Sequence, residues 1–274
     1  MEENQNQEAP KMSSVEAEEL EMNHTDKLVG VFTEPTSTFG KISNFPSKTS
    51  DWVIPILIVI VVAILSSILM MNNPTIKAAI MEKQIAAMEK SFDEAVAKGE
   101  MSRDQANQQL ETVRDRMSQG GAIQMIGIVV GIPIATFIFF FVVSGAFFVL
   151  AKFILKCEGS YKEAMVAYGL PQYIRVIQTI IMIIAALVTN KLFTGTSVAD
   201  FLDIEKDNIT GFLLAKLDVF SIWFYIVFGI GLAKMFKTNN VQKYIIGVVA
   251  VWLGFSLLFY AIGKAVPFLS SFAG

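Results

Sequence analysis

The chain alternates between long apolar runs and charged stretches, and its first apolar run indicates its class. From Val53 to Met71, nineteen residues carry no charge. At 1.5 Å of rise per residue they span about 28 Å, close to the roughly 30 Å hydrocarbon thickness of a bilayer. Their apolar side chains occupy every side of a helix instead of one stripe. With Asp51 and Trp52 at its mouth, the run predicts a membrane span over residues 52–71.

Further apolar runs predict four more spans. The second run is longer than an upright crossing requires, and tilt or a bend at Pro133 would absorb the excess. Its Gly127-x-x-x-Gly131 spacing offers a flat face to another helix. The pattern therefore predicts an all-α polytopic membrane helix bundle with five transmembrane helices over residues 51–267. The four later spans are predicted at 122–152, 164–190, 217–236 and 244–266.

A charged insertion follows the first span, at residues 74–119. Asn73 is a suitable N-cap, and Pro74 suits the first position of a helix. Apolar residues then recur at steps of three and four over residues 81–96, which indicates one buried stripe. Ser102 begins a capping box that starts a second amphipathic helix. We therefore predict an extramembrane helical hairpin whose two stripes pack together.

The residues before the first span divide into two segments. Residues 1–27 are rich in Glu and poor in bulky apolar side chains, so they bury too little surface to offset their ordering entropy. We predict a disordered acidic tail there. Residues 28–50 interleave apolar and polar side chains, with Pro35 and Gly40 interrupting any continuous helix. We predict an amphipathic segment that lies in the membrane interface.

Composition excludes several classes of function. The chain is 53% hydrophobic and 17% charged, and its net charge of −3 gives no basic face for nucleic acid. His24 is the only histidine and Cys157 the only cysteine. This excludes an intrachain disulfide, a His/Cys metal cluster and His-dependent nucleophile systems within the chain. We therefore expect no catalytic, cofactor-binding or metal-binding residues, and interpret Cys157 as a small interfacial residue, with palmitoylation as the alternative.

A few polar residues in or near the spans are candidates for structural or functional roles. They are Asp51, Arg175, Gln178 and Asp218. Arg175 can extend its guanidinium to the membrane surface along its apolar stem. Alternatively, it can pair with Asp51, since alternating spans bring the two residues to the same membrane face.

The distribution of lysine and arginine predicts the orientation. With the N-terminus inside, the inner short segments carry more basic residues than the outer ones, which favours a cytoplasmic N-terminus and an external C-terminus. The basic residues of the hairpin oppose this count. We discount them in part because the loop is long and also carries acidic residues.

Ten residues stand out by their order along the five runs, namely Phe32, Pro35, Phe39, Asp51, Pro55, Tyr161, Pro171, Trp223, Gly229 and Gly231. In this order they are similar to the Yip membrane-protein domain over about residues 28–265, without the hairpin. The resemblance implies a five-helix bundle with a cytoplasmic N-terminus. Eukaryotic members, named for binding Ypt/Rab GTPases, act in vesicle trafficking and Golgi organisation. The hairpin looks more like bacterial relatives, so we expect a bacterial cytoplasmic membrane, or the ER or Golgi membrane for a eukaryotic source.

Two functional hypotheses follow. The first is a non-enzymatic scaffold or adaptor in membrane organisation or trafficking, with a lipid bilayer and a membrane or cytoplasmic protein of unknown identity as partners. The second is a small-solute or lipid transporter or channel whose polar path is lined by Arg175, Gln178, Asp218 and Lys234. Nucleic acid is not expected as a partner, and self-association is left open.

Overall fold

The computed structural model describes residues 21–119 and 122–265, in which every regular element is helical. Two π-helical segments, Gly127–Gly131 and Leu150–Ile154, flank the α7 helix. Residues 1–20 of the predicted tail lie outside the described residues. The helices are α1 His24–Thr33, α2 Pro35–Ile42, α3 Ser50–Asn72, α4 Pro74–Ala97, α5 Arg103–Gln119, α6 Ala122–Ile126, α7 Ile132–Val149, α8 Tyr161–Gly169, α9 Gln172–Thr189, α10 Val198–Phe201, α11 Ile209–Lys216, α12 Val219–Met235 and α13 Val241–Ala265.

Four helical stretches are long and apolar enough to cross a membrane. A fifth exists if α11 and α12, which meet at a bend of 59°, together form one span. The prediction of an all-α polytopic bundle is confirmed, and five spans are reached only by counting the bent pair. The four stretches are Ser50–Asn72, Gln124–Ile154, Tyr161–Thr189 and Val241–Lys264.

The helix of the fourth span is shorter than the predicted range 217–236 because Asp218 is its N-cap. The Asp218 carboxylate accepts hydrogen bonds from the backbone N–H groups of Phe220 and Ser221. This N-cap fixes the start of α12 at Val219 and separates it from α11. The 17 residues of α12 rise only about 26 Å.

The α12 helix forms the centre of the bundle. Most of its second half is buried, including Phe228, Leu232 and Met235. A Cβ added to Gly229 would lie 2.7 Å from the Ile245 Cα, so α12 and α13 approach backbone to backbone there. Glycine is required at this position because any side chain would push the two helices apart.

Contacts between distant residues define two ends of the bundle. At one end, Asn73 donates a hydrogen bond to Asn190 (2.8 Å), which joins the end of α3 to the end of α9. At the other end, Phe236 after α12 lies against Gly159 before α8. At the same end as Asn190, the Tyr260 hydroxyl of α13 donates to the Asp207 carbonyl (3.2 Å), in the connection that follows α9. We call these the hairpin end and the amino end, because α3 runs from the α1–α2 segment to the hairpin.

The second apolar run is one long helical stretch with a local widening. The π segment Gly127–Gly131 comes directly before Pro133, near the start of α7. Proline has no N–H and its ring excludes the normal i to i−4 bond, so the turn before it widens. Nothing lies within 4 Å of a Cβ added to Gly127 or Gly131. Their flat face is therefore not used for packing within the described chain.

The N-terminal segment is more ordered than predicted. The α1 helix begins at His24, where the Asn23 side chain caps it, three residues before the predicted end of the tail at residue 27. The break at Pro35 separates α1 from α2 as expected, whereas Gly40 lies inside α2. Phe39 is fully buried in the bundle core. The apolar face of α2 thus packs against protein, which a sequence pattern cannot distinguish from packing against lipid.

The predicted hairpin is present as α4 and α5. The Asn73 side chain accepts hydrogen bonds from two backbone N–H groups of α4, at 3.1 and 3.2 Å. Ser102 and Gln105 bond each other's backbone N–H groups, as a capping box requires. Ala106 of the second stripe is buried, and Arg103 and Asp93 form an ion pair across the turn. The element is held together by its own residues.

The predicted third and fifth spans differ from the structure at their boundaries. The third, at 164–190, is divided into α8 and α9 at Leu170-Pro171, and Asn190 ends it in the left-handed conformation. The helix of the fifth span, predicted at 244–266, begins three residues earlier, at Val241.

Candidate functional site

A buried ion pair joins α1 to the start of the first span. The Lys27 ammonium donates to both carboxylate oxygens of Asp51, each at 2.9 Å. Lys27 is 3% exposed and Asp51 2% exposed. The alternative interpretation, in which Asp51 pairs with Arg175, does not match the structure, because the lysine of α1 lies beside the carboxylate. From the sequence alone, Lys27 is the last residue of the predicted acidic tail.

His24 and Tyr173 complete this cluster. The His24 Nε2 lies 2.6 Å from the Tyr173 hydroxyl, and its Nδ1 lies 3.9 Å from Asp51. Burial lowers the pKa of His24, and the nearby Lys27 adds to this, against the opposing effect of Asp51. The imidazole is therefore neutral at neutral pH. The cluster contains an acid, an amine, an imidazole and a phenol, and its contacts join α1 to α3 and α9.

A second polar cluster lies between α9 and α12. The Gln178 amide donates to the Thr196 hydroxyl (2.7 Å) and to Asp218 (3.0 Å). Thr196 in turn donates to the other Asp218 oxygen (2.8 Å), and Ser221 also donates to Asp218. The structure thus brings together Gln178 and Asp218, two of the candidate polar residues of the sequence analysis. Since neutral donors and its N-cap bonds satisfy Asp218, this carboxylate needs no cation.

Arg175 lies near this cluster, in the middle of the stretch Tyr161–Thr189. Its guanidinium carbon is 4.5 Å from the centre of the Phe224 ring, a cation–π arrangement. Its buried Nε has no hydrogen-bond partner within residues 21–119 and 122–265. The ring contact places the guanidinium against α12, and the extension of this side chain to the membrane surface stays a prediction.

A third polar group covers the cluster from the hairpin end. Asp200 of α10 accepts hydrogen bonds from Thr194 (2.9 Å), Ser197 and Lys206 (2.9 Å). Burial alone would raise the pKa of Asp200, but the bonds from Ser197 and Lys206 outweigh it and lower this pKa. The carboxylate is therefore charged at neutral pH and holds the loop after α9 in place.

These groups line one cavity of about 610 Å³. Its inner wall carries Arg175, Gln178, Asp218 and Lys216, and its outer walls are apolar side chains of α7 and α13. A second cavity of about 530 Å³ shares Arg175 and Tyr225 with the first and is also lined by Gln172. The combination of a polar inner wall with apolar outer walls is typical of a site for a molecule with a polar head and an apolar body.

Aromatic side chains fill the bundle beside these cavities. The Tyr168 ring packs against Phe140, Phe224 and Phe228 at centroid distances of 5.1 to 5.7 Å. Lys234, the fourth residue of the predicted polar path, lies near the carboxyl end of α12, at the amino end of the bundle, and lines neither cavity. The described residues thus bring three of the four path residues together and leave the fourth apart.

The residues that carry the family resemblance have packing roles. Phe32 contacts Trp223 (5.6 Å between ring centroids), and a Cβ on Gly231 would lie 2.9 Å from the Phe39 ring. The Tyr161 hydroxyl donates to the Phe141 carbonyl (2.9 Å). The prolines stand at helix boundaries or in the core, Pro35 opening α2, Pro171 preceding α9 and Pro55 buried inside α3.

Cys157 lies between α7 and α8 and is half-buried. Its thiol is 3.6 Å from the Leu155 carbonyl. Its palmitoylation stays a prediction. Within residues 21–119 and 122–265, no three His, Cys, Asp or Glu residues are placed to hold a metal ion.

Comparison with known proteins identifies one family. The model of the Yip1 domain matches residues 29–262. Neither the curated proteins nor the solved structures gave a match.

Proposed function

This chain belongs to the Yip1 domain family, and from that premise we propose that it is a non-enzymatic scaffold or adaptor of the membrane in which it resides. That it is an integral membrane protein follows from the family and from its apolar helices. The proposal of a scaffold role rests on the hairpin of α4 and α5. It is a preformed element at one end of the bundle, closed by its own caps and ion pairs.

The outer face of the hairpin supports binding of a protein partner. Its apolar stripes face each other, whereas Lys83 and Lys90 are exposed and Glu89 is also on the outside. A surface of mixed charge on a rigid support favours electrostatic selection of a partner over burial of a large apolar area. The α1–α2 segment lies at the opposite end of α3, so the two ends present different surfaces.

We also propose the topology. The bent pair α11–α12 counts as one span in this proposal, so the chain crosses the membrane five times with a cytoplasmic N-terminus and an external hairpin and C-terminus. The contacts that order the helices between the two ends support five crossings. A bacterial cytoplasmic membrane is the compartment that the hairpin favours.

Crosslinking in native membranes tests the scaffold role. The full chain, a variant with residues 74–119 replaced by a short Gly-Ser linker, and a Lys83→Glu/Lys90→Glu variant are compared. The double substitution keeps both apolar stripes, so it changes the outer charge without removing the helices. We expect one reproducible protein adduct that is lost in both variants. An adduct pattern that is identical in all three proteins would contradict this function.

Transport of a small solute or lipid is the second candidate, favoured by the meeting of Arg175, Gln178 and Asp218 in one cavity. Reconstitution into liposomes with a solute-flux and a lipid-scrambling assay separates the two functions. Under the scaffold proposal the Arg175→Ala variant and the unaltered protein show the same background rate. A rate above protein-free liposomes that falls in Arg175→Ala would replace the scaffold proposal by the transport one.

A further inference from the structure

We propose that the cavity between α7 and α13 is a binding site for a membrane lipid with an anionic, phosphate-bearing headgroup. The site goes beyond the scaffold function, which does not need it. It is argued from the charge balance of the inner wall, from the buried Arg175 Nε, which has no acceptor among the described residues, and from the apolar walls.

The charge balance of the cavity favours an anion. Three cations line it, namely Arg175, Lys206 and Lys216, against the two carboxylates of Asp200 and Asp218. Asp200 is paired with Lys206 at 2.9 Å, and Asp218 is satisfied by the hydroxyl, amide and backbone donors around it. The two remaining cations have no carboxylate within 4.0 Å among the described residues. With three cations against two carboxylates, the cavity lining carries a net charge of +1.

Arg175 and Lys216 are positioned for headgroup binding. Each cation lies over an aromatic ring, Phe224 at 4.5 Å and Phe212 at 5.1 Å, which holds the side chain in place. The Arg175 Nε is buried and has no acceptor within residues 21–119 and 122–265. A buried guanidinium donor without an acceptor is costly, and a phosphate oxygen would satisfy it with a charge-assisted bond.

The outer walls fit the apolar part of a lipid. Phe139 and Val142 of α7 and Phe255 of α13 line the cavity, and they are also 60%, 63% and 53% exposed at the surface of the bundle. In a membrane-spanning bundle such exposed apolar residues face acyl chains. The cavity is therefore continuous with the lipid-facing surface, so a headgroup can enter sideways while its chains lie along α7 and α13. A soluble anion would gain nothing from these walls.

Quenching of Trp252 by brominated lipid tests the proposal. Trp252 lines the cavity and stacks on Tyr225 at 4.5 Å between ring centroids. The full chain is placed in nanodiscs of unlabelled phosphatidylcholine with a small fraction of brominated phosphatidylglycerol or of brominated phosphatidylcholine. We expect the anionic lipid to quench more than its mole fraction accounts for, and the neutral lipid to quench in proportion. The excess should vanish in Trp252→Phe, which identifies the reporter.

Substitutions connect the excess quenching to the two cations. We expect Lys216→Gln and Arg175→Gln each to weaken the apparent affinity about tenfold, the effect of one charge-assisted hydrogen bond. Arg175→Lys keeps the charge and should retain part of the affinity. Lys264→Gln is the matched control, since Lys264 also lies over an aromatic ring, 5.8 Å from the Tyr260 centroid, but outside the cavity. It should bind as the unaltered protein does.

The outcomes distinguish a bound anionic lipid from a soluble phosphate compound with the same headgroup. Equal quenching by anionic and neutral lipid would overturn the proposal, as would an affinity unchanged in both Lys216→Gln and Arg175→Gln. Glycerol 3-phosphate serves as a competitor that shares the headgroup and lacks the chains. Displacement of the lipid at an equal concentration of this competitor would overturn the lipid assignment, and weak displacement only at large excess supports it.

Discussion

Removing the charge of Lys27 is the sharpest perturbation of the fold that the structure offers. In Lys27→Met the apolar stem is kept and the ammonium is lost, so Asp51, which is 2% exposed, remains buried without its cation. Breaking a buried ion pair by removing one partner costs about 3 to 5 kcal/mol, mostly because the other charge is left desolvated. We expect a loss of this size in the free energy of unfolding.

Two further variants isolate the cause. Lys27→Met/Asp51→Leu removes both charges, and we expect it to recover all but about 1 to 2 kcal/mol, since an apolar pair of similar volume is tolerated well. Lys48→Met is the matched control. Lys48 pairs with Glu21 at 2.8 Å but its side chain is 54% exposed, so its ion pair contributes about 0 to 1 kcal/mol.

The assay is reversible unfolding in mixed micelles, followed by circular dichroism and by tryptophan fluorescence. Trp52 adjoins Asp51 and stacks on Phe140, so its emission reports on the start of α3. If Lys27→Met stays within about 1 kcal/mol of the unaltered protein, the ion pair does not hold the N-terminal helices to the bundle. A double variant less stable than Lys27→Met would contradict the desolvation argument itself.

Three other predictions concern packing, titration and capping. Gly229→Ala should destabilise the protein by about 1 to 3 kcal/mol because its Cβ meets the Ile245 backbone, whereas Gly254→Ala, with open space around it, should be neutral or stabilising in the same unfolding assay. Because the folded-state pKa of His24 is lowered, the stability that this residue contributes is complete above its unfolded pKa of about 6.5 and is lost as the pH falls. Thermal melts from pH 7.5 to 5 should show this loss as a falling melting temperature. An equal fall in His24→Gln would show that another group causes it. Asn73→Ala should cost about 0.5 to 2 kcal/mol locally and speed hydrogen exchange in the first turn of α4, and unchanged exchange there would show that its two cap bonds are not formed.

Most of the architecture could be predicted from the sequence because its signals are local. A run of nineteen uncharged residues, an Asn-Pro helix start and a Ser102–Gln105 capping box each carry their own structural reason. The bounds of the fourth span are harder to predict, since Asp218 is both a candidate polar site residue and the N-cap that shortens the helix. The apolar character of α12 comes from burial within protein, and composition does not distinguish this from burial in lipid.

The sites were less predictable because their contacts join residues far apart in the chain. Arg175, Gln178 and Asp218 were singled out as polar groups among apolar ones, and the structure brings them to one cavity. Lys216, Thr196 and Lys27 were not singled out, since each lies in a polar stretch where charged residues are ordinary. A buried acidic residue at the start of an apolar span needs a cation as its partner. A search of the neighbouring polar stretch for that cation could have found Lys27.

Labelling of single cysteines from one side of the membrane tests the proposed topology most directly. In a Cys157→Ser background, cysteines at Ser43 after α2, at Glu100 in the hairpin turn and at Lys264 near the end of α13 are each treated with an impermeant maleimide in oriented vesicles. We predict that Glu100→Cys and Lys264→Cys react from the same side and Ser43→Cys from the other. Reaction of Ser43→Cys and Lys264→Cys from a shared side would mean that α11 and α12 do not form a span, and the five-crossing topology would be wrong.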